Sequence, residues 1–227
     1  MCGRYTLHRE RDEIIRIVQP ELWADADDYR PSYNIAPTTP CLVLTADARG
    51  RELSHMRWGL IPGWARQPRH DRPLINARRE TVGEKPSFRH LLSQRHCAVL
   101  MDGYFEWRHE GDRRLPYLVR RPDHALLFAA GLWDQWTSPQ NEVVRSFVIV
   151  TAPAAPSIAA LHDRMPALIP DADLDHWLRP GAPAAATVPD TWTGELTLSP
   201  VSPALNKTTN DTPELLQPPP TQPELGL

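Results

Sequence analysis

A cysteine stands at position 2, directly behind Met1, in Met1-Cys2-Gly3-Arg4. Cytosolic aminopeptidases remove an initiator methionine ahead of a small side chain, which would leave Cys2 with a free α-amine beside its thiol. For these group types the ordinary pKa values are about 7.7–8.0 and about 8.5, so both are partly deprotonated near neutral pH. A 1,2-aminothiol of this kind condenses with an aldehyde in two steps. The amine forms an imine, and the thiol then closes on the imine carbon to give a five-membered thiazolidine. Position alone does not separate this from a cysteine that merely follows a start codon, so the rest of the chain has to supply an aldehyde site.

Three other residues have settings that suit such chemistry. Glu106 lies in Asp102-Gly103-Tyr104-Phe105-Glu106-Trp107. A carboxylate among aromatics is costly to bury unpaired. Either it pairs with Arg108 on a solvent face, or it accepts hydrogen bonds from an amine and relays protons. His162, in His162-Asp163-Arg164-Met165-Pro166, is of the residue type that trades protons near neutral pH, although a single histidine commonly has a structural role. Asn76, after the apolar pair Leu74-Ile75, could cap the next turn, or hold an amine or hydroxyl without adding charge. Arg4, Arg78 and Arg164 each stand two residues beyond Cys2, Asn76 and His162. That spacing suits a phosphate on each flank of a reacting sugar.

The elements that must position these residues read as follows. Arg9–Val18 has an amphipathic helical pattern stopped by Pro20. Segments 41–45, 54–60, 97–101, 104–108, 115–120, 125–132, 146–151 and 196–201 read as strands, with Glu110-Gly111-Asp112 as a hairpin turn. Ser87–Gln94 reads as a helix capped by Ser87. Ser157–Leu161 reads as one helical turn, and Asp171–Leu178 as a short helix. Gly63–Pro73 is an arginine-rich loop carrying Trp64, of a kind that faces solvent or phosphate. From about Thr212 the chain turns to proline and polar residues and reads as disordered. One α+β domain with mostly antiparallel strands is expected.

Composition bounds the partners. The 227 residues carry a net charge of −3, which is not a nucleic-acid-binding profile overall. The distribution is more telling: residues 51–95 hold ten Lys/Arg against four Asp/Glu, and residues 171–227 hold two against eight. Only Lys85 and Lys207 are lysines among 25 basic residues, and arginine favours bidentate phosphate contacts. Cys41 and Cys97 sit in apolar runs and read as buried strand residues. No CxxC or Cys/His spacing points to a metal, and nothing points to an organic cofactor. With no apolar leader and no run of 18 apolar residues, a reduced cytoplasmic compartment is expected.

Six ordered motifs resemble the SRAP family, the SOS-response-associated proteins of bacteria and their eukaryotic relatives. They are Met1-Cys2-Gly3-Arg4-Tyr5, Tyr33-Asn34-Ile35-Ala36-Pro37, Trp58-Gly59-Leu60-Ile61-Pro62, Ile75-Asn76-Ala77-Arg78-Arg79-Glu80-Thr81, Gly103-Tyr104-Phe105-Glu106-Trp107 and His162-Asp163-Arg164-Met165-Pro166. The resemblance implies a single domain over residues 2–217, with a barrel-like, mostly antiparallel β core flanked by short helices, and a disordered proline-rich tail at 218–227. It implies a covalent DNA-repair intermediate, in which mature Cys2 attacks the ring-opened aldehyde of an abasic site in single-stranded DNA and ends as a stable thiazolidine crosslink. Carried over by motif, Cys2 is the nucleophile, with Asn76, Glu106 and His162 as its catalytic neighbours. Arg4, Asn34, Pro37, Trp64, Arg78, Trp107, Thr151 and Arg164 would contact DNA, with Pro37 and Trp64 wedging or stacking near the lesion. The family often has a second aromatic beside Trp64, where this chain has Ala65 and a longer arginine-rich loop. The same reading implies a monomer without metal, cofactor or membrane contact, nucleoid-associated during DNA damage.

Two rival functions fit the same terminus. An N-terminal-nucleophile amidohydrolase or peptidase would use Cys2 on an amide, with its own amine as base; removal of Met1 by the protein itself would be one form of this. A non-enzymatic single-strand-binding module would leave Cys2 incidental and would bind intact and abasic strands alike.

Overall fold

The computed structural model describes residues 2–23, 25–68, 72–111, 113–179, 181, 188–189 and 192–219. Its strands are β1 (Tyr5–Leu7), β2 (Leu22–Trp23), β3 (Ser32–Ile35), β4 (Pro40–Asp47), β5 (Gly50–Trp58), β6 (Asn76–Arg78) and β7 (His96–Met101). They continue with β8 (Gly103–Glu110), β9 (Arg113–Arg120), β10 (Leu127–Thr137), β11 (Val143–Pro153), β12 (Arg164–Pro166), β13 (Leu168–Ile169) and β14 (Thr197–Pro200). The two α-helices are α1 (Arg11–Val18) and α2 (Leu174–Leu178).

Five strands close on themselves. β11 pairs with β10, β10 with β7, β7 with β4 and β4 with β5, all antiparallel, and a short parallel pairing of Ser146–Phe147 with Arg57–Trp58 joins β11 back to β5. Closure removes unpaired edges. By the pairing register Val43, Cys97, Val99, Phe147 and Ile149 share one face of the barrel strands, and Leu44, Leu53, Ala98, Ala130 and Leu132 share the other; all are solvent-inaccessible. Trp58 stacks on Phe147 with centroids 6.5 Å apart and meets Tyr5 at 5.4 Å. Its indole N–H donates to the Ile75 carbonyl at 3.0 Å. The expected α+β fold with a barrel-like, mostly antiparallel core is what the chain adopts.

A second, five-stranded sheet lies beside the barrel in the order β14-β9-β8-β1-β3. In it β1 is an inner strand, antiparallel to β8 on one side (Tyr5 opposite Tyr104) and to β3 on the other (Tyr5 opposite Ile35). The outer face of this sheet has its own small core of Phe105, Leu118, Val201, Leu205 and Leu215.

Several elements depart from the sequence expectation. Residues 87–94 form successive turns, not an α-helix: three- and four-residue spacings alternate, as in Leu91 N to Phe88 O (2.9 Å) and Arg95 N to Leu91 O (2.8 Å). Phe88, Leu91 and Leu92 are buried, so docking on the core sets this path, and Ser87 caps nothing. The expected helical turn at 157–161 is likewise a pair of turns, with Ile158 N bonded to Ala155 O at 2.8 Å. In α1, Ile14 and Val18 face the core, whereas Ile15 and Ile17 face solvent. The helix ends on Gln19 in the left-handed region (φ 45°), one residue before Pro20. Order extends past Thr212: Pro213–Leu216 makes a 3₁₀ turn whose Leu215 is buried. Most of the proline-rich tail, from 220 on, lies outside the described residues, as do Arg69 and Asp71 of the arginine-rich loop and Asp112 of the hairpin turn.

Candidate active site

The pairing of β1 with β8 delivers the terminus to Glu106. Phe105 N donates to Arg4 O at 2.9 Å, continuing the β1–β8 ladder toward the first residue and setting Cys2 alongside the Tyr104–Trp107 stretch. Cys2 is fully buried. Asn76 reaches it from the other side: its Nδ2 donates to the Cys2 carbonyl at 2.8 Å. β11 carries this second wall. It pairs in parallel with β6, placing Asn76 beside Ile149, and antiparallel with β12. Ala154 N donates to Asp163 O at 3.0 Å, which brings the His162 loop to the same end of the barrel. The four residues expected to be catalytic therefore converge.

Electrostatics at this point are unusual. Burial, and secondarily the Glu106 carboxylate, push the Cys2 thiol far above its ordinary value. Burial also raises Glu106 above the carboxylate range, while the chain's α-amino group and His162 pull it back. Tyr104 is raised by burial, then by Cys2 and Glu106. The Glu106–Arg108 pair weighed from sequence does not form. Arg108 instead meets Glu110 at 2.5 Å and lies over the Tyr117 ring. His162 Nδ1 accepts from Arg164 N at 2.9 Å and lies 2.9 Å from Asp163 Oδ1. Two buried polar atoms here, Asn76 Oδ1 and the Tyr104 hydroxyl, have no hydrogen-bond partner among the described residues.

A cavity of about 600 Å³ opens over this cluster. Gly3, Arg4, Glu106, Trp107 and His162 line it, with His109, Arg114 and Asn206. The last three were not singled out from sequence. His109 follows Trp107 by two strand positions, and Arg114 stands opposite it across the β8–β9 hairpin, so strand register held a signal for both. Nothing in the sequence links Asn206 to residue 107.

The residues expected to touch a strand fall into different settings. Arg4 lines the cavity, but it is largely buried and committed: Nη1 donates to Asn34 Oδ1 at 2.7 Å and to Leu205 O at 3.0 Å. Trp107 lines it too, its indole donating to Asn206 Oδ1 at 2.7 Å, with the Arg4 and Arg114 guanidiniums each just under 6 Å from its ring centre. Asn34 is buried, with its Nδ2 donating to the carbonyls of Leu205, Lys207 and Asn210, so it grips the C-terminal segment and presents nothing outward. Thr151 is also fully buried; its hydroxyl donates to Ala77 O at 3.4 Å. Arg164 forms a two-pronged pair with Glu80, at 2.6 and 2.9 Å, and bonds Thr151 O. Arg78 is exposed.

Pro37 and Trp64 stand outside this cavity. Pro37 is half-buried in the turn whose Thr38 adopts φ 74°. Trp64 is 65% exposed and edges a second, more apolar hollow of about 380 Å³ with Leu60, Pro62, Gln67 and Arg72. The residues flanking Trp64 are held: Asp134 Oδ2 accepts from Gly63 N at 2.7 Å, and Trp136 Nε1 donates to Ala65 O at 2.6 Å.

Comparison with known proteins decides the family. The family model described as SOS response associated peptidase (SRAP) matches residues 1–208. The chain belongs to the SRAP family. SRAP relatives include the abasic site processing protein YoqW of Bacillus subtilis, 35% identical over 181 residues, 79% of this chain and 81% of that one. YedK of Escherichia coli, named likewise, is 30% identical over 96% of this chain and 100% of its own. HMCES of Rattus norvegicus is 31% identical over 96% and 76%. A crystal structure of a Bacteroides thetaiotaomicron protein matches the SRAP fold here with a TM-score of 0.83 at 24% identity, covering 96% of this chain and 100% of that one. Among the described residues no cluster of three or more His, Cys, Asp or Glu could hold a metal, and no helix is long and apolar enough to cross a membrane.

Proposed function

We propose that this protein processes abasic sites in single-stranded DNA by forming a thiazolidine crosslink through Cys2, which shields the lesion from strand cleavage. The observation that carries this reading is the convergence on the first residues: Asn76 bonds the Cys2 carbonyl at 2.8 Å while Glu106 bears on the thiol. SRAP membership and the names of the relatives supply the substrate class. Twenty-three arginines, with Arg4 and Arg114 at the cavity, suit a polyanionic strand.

Loss of Met1, which the protein itself could catalyse as a peptidase, makes the Cys2 nitrogen an α-amine. His162 protonates the ring oxygen while the C1′ hydroxyl passes its proton to water, so the C1′–O bond to the ring breaks and the sugar opens to its aldehyde. The amine adds to C1′ and a proton passes to Glu106. The carbinolamine loses water to give the imine. The thiol then adds across the C=N bond, sulfur to carbon and proton to nitrogen. The balance is one water released, with no oxidant or reductant. Sulfur attacks as the thiolate, so the burial-raised Cys2 thiol has to give up its proton, which the imine nitrogen takes, as the ring closes. Asn76 fixes the backbone of the reacting residue, which lowers the cost of orientation.

The test is incubation with a single-stranded abasic oligonucleotide and its undamaged twin. A heat-stable adduct forms with the first alone, and Cys2→Ala abolishes it. Adduct from Cys2→Ala, or from protein whose intact mass still includes Met1, would overturn the reading. Equal binding to the two strands without any adduct would establish a passive binding module.

A further inference from the structure

We propose that Asn206 is a further substrate-contacting residue of the cavity, its carboxamide nitrogen donating to a phosphate oxygen of the strand beside the damaged sugar. This rests on the abasic-site reading above and extends it to a residue outside the six motifs.

The orientation of the amide follows from chemistry. An indole N–H can only donate, so the atom of Asn206 that lies 2.7 Å from Trp107 Nε1 is its oxygen. The –NH₂ group is therefore turned away from Trp107, and it makes no hydrogen bond among the described residues. Asn206 nonetheless lines the cavity with Arg4, Glu106 and His162.

Its backbone is held in place. Arg4 and Asn34 bond the carbonyl before it, Leu205, and Asn34 bonds the carbonyl after it, Lys207. Asn210 Nδ2 closes the loop onto Ala204 O at 2.8 Å. An exposed donor on a fixed backbone loses little freedom on binding. The neighbouring cationic groups, Arg4 and Arg114, favour an anion over a base edge at this position.

Three variants separate the contact from the support of Trp107. Asn206→Asp keeps an oxygen for the indole but replaces the donor with a negative charge. Asn206→Ala removes both, and Trp107→Phe removes the indole donor while keeping a smaller aromatic ring. Affinity for a fluorescent abasic single strand is read by anisotropy, and adduct formation is followed at limiting and saturating strand. Asn206→Asp should weaken affinity about tenfold and Asn206→Ala about threefold, with saturating adduct rates within about twofold of wild type. Melting temperatures verify that each variant folds. The proposal falls if Asn206→Asp binds like wild type, whether or not Asn206→Ala behaves like Trp107→Phe. A wild-type protein that binds the strand but forms no adduct would sink the crosslinking reading, while the affinity series would still decide the role of Asn206.

Discussion

Glu106, 3% exposed and set beside a buried thiol, resists ionising. Its folded pKa lies above its unfolded one, chiefly through burial, so the folded protein holds this proton longer than the unfolded chain does. The stability it contributes is present below the ordinary carboxylate range and is lost as pH rises through the folded value. Glu106→Gln should therefore be more stable than wild type at pH 7, and the gain should vanish near pH 4; urea unfolding at the two pH values checks this. The same substitution should slow adduct formation at pH 7 by about 10²–10⁴-fold if the carboxylate takes the proton, and should remove the fall in rate that wild type shows on acidification. Cys2, Glu106, Asn76 and His162 were legible as candidates because each sits in an unusual local setting or a family motif. Asn206, His109 and Arg114 escaped because their roles depend on what lies across a sheet or on the far end of the chain.

Among the elements, the long strands were readable and, apart from β14, the short ones were not. β4, β10 and β11 have enough apolar and β-branched residues to declare themselves, whereas β1, β3, β6 and β12 span three or four residues each and take their form from neighbours. Those short strands carry the site: β1 holds the terminus and β6 holds Asn76. The buried grip of Arg4 and Asn34 on segment 205–210 was also invisible, since both read as strand-contacting residues. Asn34→Ala would remove one acceptor of Arg4 Nη1 and the donor to the Lys207 and Asn210 carbonyls, leaving Leu205 O held by Arg4 alone. It should cost about 2–3 kcal/mol in denaturant unfolding and make residues 203–210 the first point of proteolytic attack.

At the scale of the molecule, a closed barrel and a five-stranded sheet laid against it each supply one wall of the site. The small core on the outer face of that sheet joins the 3₁₀ turn at Pro213–Leu216 to the strand bearing Glu106, through Phe105 and Leu215. Leu215→Ala should destabilise the fold by about 2–4 kcal/mol, measurable as a lowered melting temperature, although the residue lies in a stretch that composition alone assigns to a disordered tail. The inner placement of β1 has a practical outcome. On the proposed reading, only Cys2, Gly3 and Arg4 would separate the reacting terminus from a strand hemmed in on both edges, so a purification handle fused ahead of them would have to leave through the cavity. Such a preparation would melt normally and still be inert toward aldehydes until a protease trimmed it to begin at cysteine. Handles belong on the opposite end of the gene.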